Sequence, residues 1–420
     1  MNRKITIAIA GLGSRGKDAY APAIARMSDR AEIVAVADID FAKVQKAAQI
    51  YHVPEERCFN SAESLLAENR LADVLVLATQ DRQHVQQAIP ALEKGYDLLL
   101  EKPISPNIEE CKQLLEVSKR TGRKVVVCHV LRYTPFFEKA KQILDSGVIG
   151  DIVSIMAIEN VGYWHQAHSF VRGNWSNSST TSPMILQKCC HDMDLYIWLS
   201  GKRCRSVSSY GGLYWFKPEH APMGAALRCL DNCKAKDNCP FDAEKIYIKN
   251  KATGIEYGNS GWPNDVLCMN PTKDRIYDEL RTGPYGRCVY HCENNVVDHQ
   301  VVNLEMTDKT TMSFTMCGFT QENSRYAKLM GTKGEMHMDM SKRIISVTPF
   351  GQASTEYEIE PSSSGHSGGD EGIIRDFLDY ISDDHREMPN ITSLERSIES
   401  HMIALAAERS RLSDGECVLL

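Results

Sequence analysis

The stretch that most constrains this chain is "KITIAIAGLGSRG", residues 4–16. Its first seven residues form a β-branched run that reads as a strand buried on both faces, as in a parallel sheet. Gly11, Gly13 and Gly16 follow at once in strict G-x-G-x-x-G spacing. Alone, such a triplet is often an ordinary glycine turn, so its context decides. A helical stretch follows over about 17–28, and "EIVAVADID" supplies a second strand ending at Asp38. Asp38 lies 22 positions beyond Gly16, close to the roughly 20 that bring a carboxylate to an adenosine ribose. Gly11 permits the tight turn, Gly13 lets the backbone approach a pyrophosphate, and Gly16 lets the helix close on the strand. The helix start at Ser14 offers unpaired N–H groups and a positive dipole end to phosphates. Asp38 favours NAD over NADP, because a 2′-phosphate would meet a carboxylate. Arg15 keeps NADP open, since a guanidinium in that loop suits either the pyrophosphate or a 2′-phosphate.

The alternation continues. Residues 72–80 read as a strand, 82–95 as a helix, 96–105 as a strand, 107–122 as a helix and 124–133 as a strand. Short links between such units predict a parallel, doubly wound sheet. Thr79 and His84 sit at one strand-to-helix turn and join the expected cofactor-binding set. The length of 420 residues exceeds one ordinary core, so two domains are expected. A net charge of −7 without a long basic run argues against nucleic-acid or anionic-membrane partners. No stretch reaches the ~18 apolar residues of a membrane span. The first residues lack the pattern of a secretory signal, which makes the cytoplasm the expected location.

At Glu101-Lys102-Pro103 the pattern becomes specific. The glycine-rich first turn, a strand ending in "ATQDRQH", this "EKP", and "HVLRYTPFFEKAKQILDSGVIGDIVSI" at 129–155 together resemble the Gfo/Idh/MocA oxidoreductases. The resemblance implies an N-terminal Rossmann NAD(P)-binding domain over 1–130. Beyond it, 131–420 would form an α+β domain on a large, open, mostly antiparallel sheet. It also implies a nicotinamide in the cleft between the two, and a homodimer or homotetramer formed through the sheet.

By that resemblance Glu101 and Lys102 meet the cofactor, and Lys102 serves the chemistry. Its position agrees, for a lysine at a strand end turned by Pro103 lies on the carboxyl edge where such sheets bind ligands. A second matching stretch, "SPMILQKCCHDMDLYIWLSG", reads as one helix over about 183–199. The family pattern there is an Asp, three residues and a His. His191 matches the His, but Gln187 stands where the Asp would be. Without that anion, either His191 or Lys102 is free to act as the base for a secondary alcohol. His191 is the expected base, with Lys102 polarising the same oxygen. Cys189 and Cys190 diverge by about 100° on a helix and read as buried small hydrophobes.

Other candidates surround this centre. Gln187, Arg132, Trp164, His165, Arg172 and His366 form the expected substrate-binding set. In it, the aromatic run "YWHQAHSFVRGNW" at 163–175 suits a sugar, and "SSSGHSGGDEG" at 362–372 reads as a capping loop. Residues 217–295 exceed the family plan and hold Cys229, Cys233 and Cys239, followed by Cys268, Cys288 and Cys292. A structural Zn²⁺ on thiolates from this set is one expectation, and buried free thiols are the other. The leading functional expectation is an NAD(P)-dependent oxidoreductase acting on a secondary hydroxyl of a sugar, sugar derivative or cyclitol. A redox-neutral, glycoside-cleaving enzyme that keeps its NAD is the first alternative. A non-catalytic NAD-binding regulator is the second.

Overall fold

A computed structural model describes residues 3–362, 365–383 and 388–420. The chain begins with six parallel strands: β1 (Ile5–Ala10), β2 (Ala31–Ala37), β3 (Cys58–Phe59), β4 (Val74–Leu77), β5 (Asp97–Leu100) and β6 (Val125–Val127). They lie in the order β3-β2-β1-β4-β5-β6, with every pairing parallel. The continuous apolar runs are explained by burial on both faces. Ile7 and Ile9 enter one core while Ala8 and Ala10 enter another on the opposite side. The helix Phe41–Tyr51 covers the first face, and His84–Glu93 and Ile108–Thr121 cover the second.

A second sheet follows, of β7 (Ile152–Asn160), β8 (Cys204–Gly212), β9 (His299–Met306), β10 (Thr311–Cys317), β11 (Ser324–Gly331), β12 (Gly334–Asp339), β13 (Ile344–Pro349), β14 (Thr355–Glu358) and β15 (Val418–Leu419). Its order is β14-β13-β12-β11-β7-β10-β9-β8-β15. Only the β7–β10 pairing is parallel. One face packs on the helix Cys190–Ser200 and on Leu394–Leu412. The other leaves Val153, Met156, Tyr210 and Val301 exposed, which accounts for the alternating pattern of β7 and β9. The long segment between β8 and β9 builds its own small core from Phe216, Phe241, Tyr247, Leu280 and Tyr285.

The chain's last two helices also serve the first sheet. Ile373, Ile374, Phe377 and Leu378 of the helix Gly369–Ser382 complete one face of the nucleotide-type sheet. Leu394 and Ile398 complete the other. Thr392 locks this return, since its N–H donates to the Tyr133 hydroxyl at 2.9 Å and its hydroxyl donates to the Val127 carbonyl at 2.6 Å.

Candidate active site

Strand order reverses between β1 and β4, so their carboxyl ends diverge and leave a crevice. Gly11 and Gly16 are required there by close approach. Gly11 has φ +92°, and a Cβ would lie 2.3 Å from the Ala78 carbonyl oxygen. At Gly16 a Cβ would lie 1.9 Å from the Gly11 oxygen. A Cβ added at Gly13 would meet nothing within 4 Å, and Ser14 beside it is exposed, so this part of the loop is open to a bulky anion. The Asp38 carboxylate accepts from the Leu12 N–H at 2.5 Å and the Asp40 N–H at 2.8 Å, tying the end of β2 to the glycine loop. Ile39 next to it is 90% exposed, an apolar surface beside the ribose position. An open, glycine-lined cradle with a carboxylate at its rim fits a dinucleotide.

Arg15 differs from both sequence expectations. Its guanidinium turns away from the phosphate position and inward, reaching Glu101 at 2.7 Å, Asp370 at 2.7 Å and the Tyr20 hydroxyl at 2.6 Å. Two buried carboxylates attract it more strongly than a solvent-facing position does. Burial pushes the Glu101 carboxyl up, but Arg15, Lys102 and the Tyr20 hydroxyl outweigh burial and hold it below the usual range. His366 joins this group through Nδ1, 2.9 Å from Arg15 and 3.0 Å from Asp370. The 365–370 loop is therefore pinned to the glycine loop. Thr79 and His84 also differ from expectation. The Thr79 hydroxyl donates to the Gln87 side chain at 2.6 Å. His84 is buried, with its ring nitrogens against the Pro103 and Thr79 carbonyls. It shapes the crevice from behind.

The expected helix over 183–199 is broken. It runs Met184–Gln187, turns at Lys188 and Cys189, and restarts as Cys190–Ser200. In a continuous helix the Gln187 carbonyl would accept from the N–H four residues on. The break leaves it free, and Lys102 Nζ donates to it at 2.8 Å. A backbone carbonyl thus supplies part of what the family's Asp would provide, whatever side chain stands at 187. His191 starts the second segment, buried next to Lys102. Burial, followed by the Lys102 and His129 neighbours, pushes its imidazole well below the ordinary histidine range, so the ring is neutral at neutral pH and able to accept a proton. Burial likewise pushes the Cys190 thiol up to about 12 and Cys189 well above its usual value. Neither thiol is ionised at neutral pH, so neither is an activated nucleophile.

His129 is a residue the sequence reading missed. Its ring meets His191 edge-on, 5.5 Å between centroids and 82° between planes, and His401 packs behind it at 5.7 Å. The Nδ1 atoms of His129 and His191 are both buried without a hydrogen-bond partner. The available signal was position, because His129 directly follows β6 just as Lys102 follows β5, on the same carboxyl edge.

Arg132 and Arg172 are both turned to partners within the protein. Arg132 grips Asp194 with two 2.6 Å hydrogen bonds, and both side chains are almost wholly buried. Arg172 is buried in the core of the insertion and donates to the Arg287 and Phe241 carbonyls and to Cys229. Trp164 and His165 remain half-exposed and pack with Trp262. Cys229, Cys233 and Cys239 line a cavity of about 10 Å³ with Arg172 and Cys288. Among the described residues no three His, Cys, Asp or Glu side chains form a metal-ligand set, so the zinc expectation finds no preformed site. Cys229 instead accepts from the Ala243 N–H and from Arg172.

Two family models match: "Oxidoreductase family, NAD-binding Rossmann fold" over residues 5–129 and "Oxidoreductase family, C-terminal alpha/beta domain" over residues 141–414. The chain is 23% identical over 397 residues to the putative oxidoreductase YteT of Bacillus subtilis, covering 89% of this chain and 88% of that protein. It is 29% identical over 209 residues to inositol 2-dehydrogenase 4 of Saccharopolyspora erythraea, covering 49% of this chain and 57% of that one. An NAD binding oxidoreductase from Klebsiella pneumoniae shares the fold, with a TM-score of 0.70, 16% identity and 99% of each chain covered. Among the described residues no helix is long and apolar enough to cross a membrane.

Proposed function

The chain belongs to the Gfo/Idh/MocA family of oxidoreductases, and from that premise we propose that it oxidises or reduces a secondary hydroxyl of a sugar, sugar derivative or cyclitol. The observation that carries this reading is the pairing of Lys102, anchored on the Gln187 carbonyl at 2.8 Å, with a neutral, buried His191. When bound, NAD accepts or returns the hydride. His191 takes the hydroxyl proton, and Lys102 donates a hydrogen bond to the same oxygen as charge builds on it. Lys102 is held by a neutral carbonyl, so its donors stay available to the substrate. His129 packs edge-on against His191 and fixes the plane of that ring.

NAD is the better cofactor for this cradle. Asp38 stands at the ribose end, and Arg15, the one guanidinium of the loop, is occupied by Glu101 and Asp370. The exposed apolar residues on the open face of the second sheet favour self-association into a dimer or tetramer. Inositol 2-dehydrogenase 4 is a relative over about half of its length, which brings cyclitols into the substrate class. Turnover of sugars, cyclitols and aryl glycosides, read by nicotinamide absorbance, tests the proposal. Lys102→Ala and His191→Ala should each lower kcat by about 10²- to 10⁴-fold. If both variants kept wild-type rates, the assignment would be wrong.

A further inference from the structure

The insertion between β8 and β9 does more than fold upon itself. Trp262 packs against Trp164 at 5.1 Å, His165 at 4.9 Å and His168 at 5.5 Å between ring centroids. Even so, it remains 37% exposed. His168 is buried by the insertion core, while Trp164 and His165 are only partly covered. The cluster therefore shows an aromatic surface rather than a closed core.

A series of contacts leads from that surface toward the site. His165 is held by Asn323 at 2.9 Å, two residues before Arg325. Arg325 bridges Asp192 and Glu159, and its charge acts on His165 and His191 alike. Lys188, also on Glu159, directly follows the Gln187 whose carbonyl holds Lys102. The other end of the Trp262 segment reaches the nucleotide-binding domain. Asp265 lies in the field of Asp18 and Lys17, just past the glycine loop, and Asn270 accepts from Lys46 at 3.2 Å. The stretch 262–270 thus spans from the aromatic run on the second domain to the rim of the cofactor cradle, across the cleft.

The loop that carries Trp262 is stiff. Asn264 is fully buried and donates to the Thr253 and Asn259 carbonyls at 2.7 and 2.8 Å. Asn259 donates to the Trp262 carbonyl at 3.1 Å. A part-exposed tryptophan on a loop tied down by these hydrogen bonds is presented to a partner at little entropic cost.

We propose that Trp262, with Trp164 and His165, forms a stacking wall that receives the second ring of a glycoside whose first ring carries the reacting hydroxyl. This rests on the oxidoreductase reading above and narrows its substrate class. Lys102 and His191 engage one hydroxyl of the first ring, and one layer out, beyond Arg325, the wall offers an apolar face and few donors. Such a surface discriminates by ring stacking rather than by hydroxyl pattern.

The test compares D-glucose and myo-inositol with p-nitrophenyl glucoside and cellobiose, using wild-type protein, Trp262→Phe and Trp262→Ala. Trp262→Ala should lower kcat/KM for the two-ring compounds by about 10- to 100-fold, mostly through KM. Single-ring compounds should change by less than about twofold, and Trp262→Phe should keep most of the two-ring activity. Equal losses on both classes, or no loss on either, would overturn the wall. If the wild type turns over none of these compounds yet still binds NAD, calorimetry with p-nitrophenyl glucoside and cellobiose decides. Binding that Trp262→Ala abolishes supports the wall even though the oxidoreductase reading has failed for these probes. Absence of such binding, with melting temperatures unchanged, rejects the wall on its own.

Discussion

At the scale of single residues, the informative surprises are arginines. Arg132, Arg172 and Arg15 all occur in stretches that point to ligands, and all three are turned to groups of the protein itself. A guanidinium's direction depends on which carboxylates and carbonyls the fold delivers, and Asp194, Asp370 and Phe241 come from distant parts of the chain. No local pattern announces them. Gly11 and Gly16, by contrast, were legible because each answers a need of the neighbouring backbone. Arg132 and Asp194 are the cleanest test. Removing one member strands a buried charge, so Arg132→Ala should cost about 3–5 kcal/mol of stability. A double replacement, Arg132→Met with Asp194→Leu, should recover most of that loss. Equilibrium denaturation measures both, and an Arg132→Ala cost below about 1 kcal/mol would mean that the pair is hydrated.

At the scale of elements, all but the short strands β3, β14 and β15 follow the sequence, because continuous apolar runs and alternation each have one comfortable solution. The helix at 184–200 does not. Its apolar periodicity reads straight through Lys188 and Cys189, and the break shows only in three dimensions, where a freed carbonyl meets Lys102. Cys189 and Cys190 sit at that break with nothing to do chemically, packed in the core of the second domain. Cys190→Ala should therefore leave kcat within about twofold, while costing some stability through the small cavity it opens. Both thiols should react with an alkylating reagent later than the exposed Cys417. Early modification of Cys190 with loss of activity would contradict the geometry.

For the whole molecule, burial of histidines sets the pH response. His129 and His191 are held neutral mainly by burial, and burial pushes His168 and His401 down to about 3. In the unfolded chain each takes up a proton near pH 6.5. The folded state binds fewer protons below that point, so the stability tied to their neutrality is present above about pH 6.5 and drains as pH falls toward 3. Melting temperature should begin to drop between about pH 6.5 and 5, before most carboxylates titrate. A flat profile through that range would show that these rings are reached by water. Composition carried no hint of this, since thirteen histidines can as well lie on a surface. The meeting of His129, His191 and His401 became visible only once the strand ends were brought together.

The return of the last helices to the first sheet has a consequence for how the protein comes off the ribosome. Residues 5–129 match a complete nucleotide-binding domain in sequence, but its hydrophobic faces are finished by Ile373, Phe377, Leu394 and Ile398. During synthesis the opening domain emerges with both apolar layers incomplete, and the missing pieces appear only from Ile373 onward, long after residue 129. The nascent chain must hold that exposed surface, or borrow cover for it, until those residues have been made. A part made much later thus decides when the first part is finished.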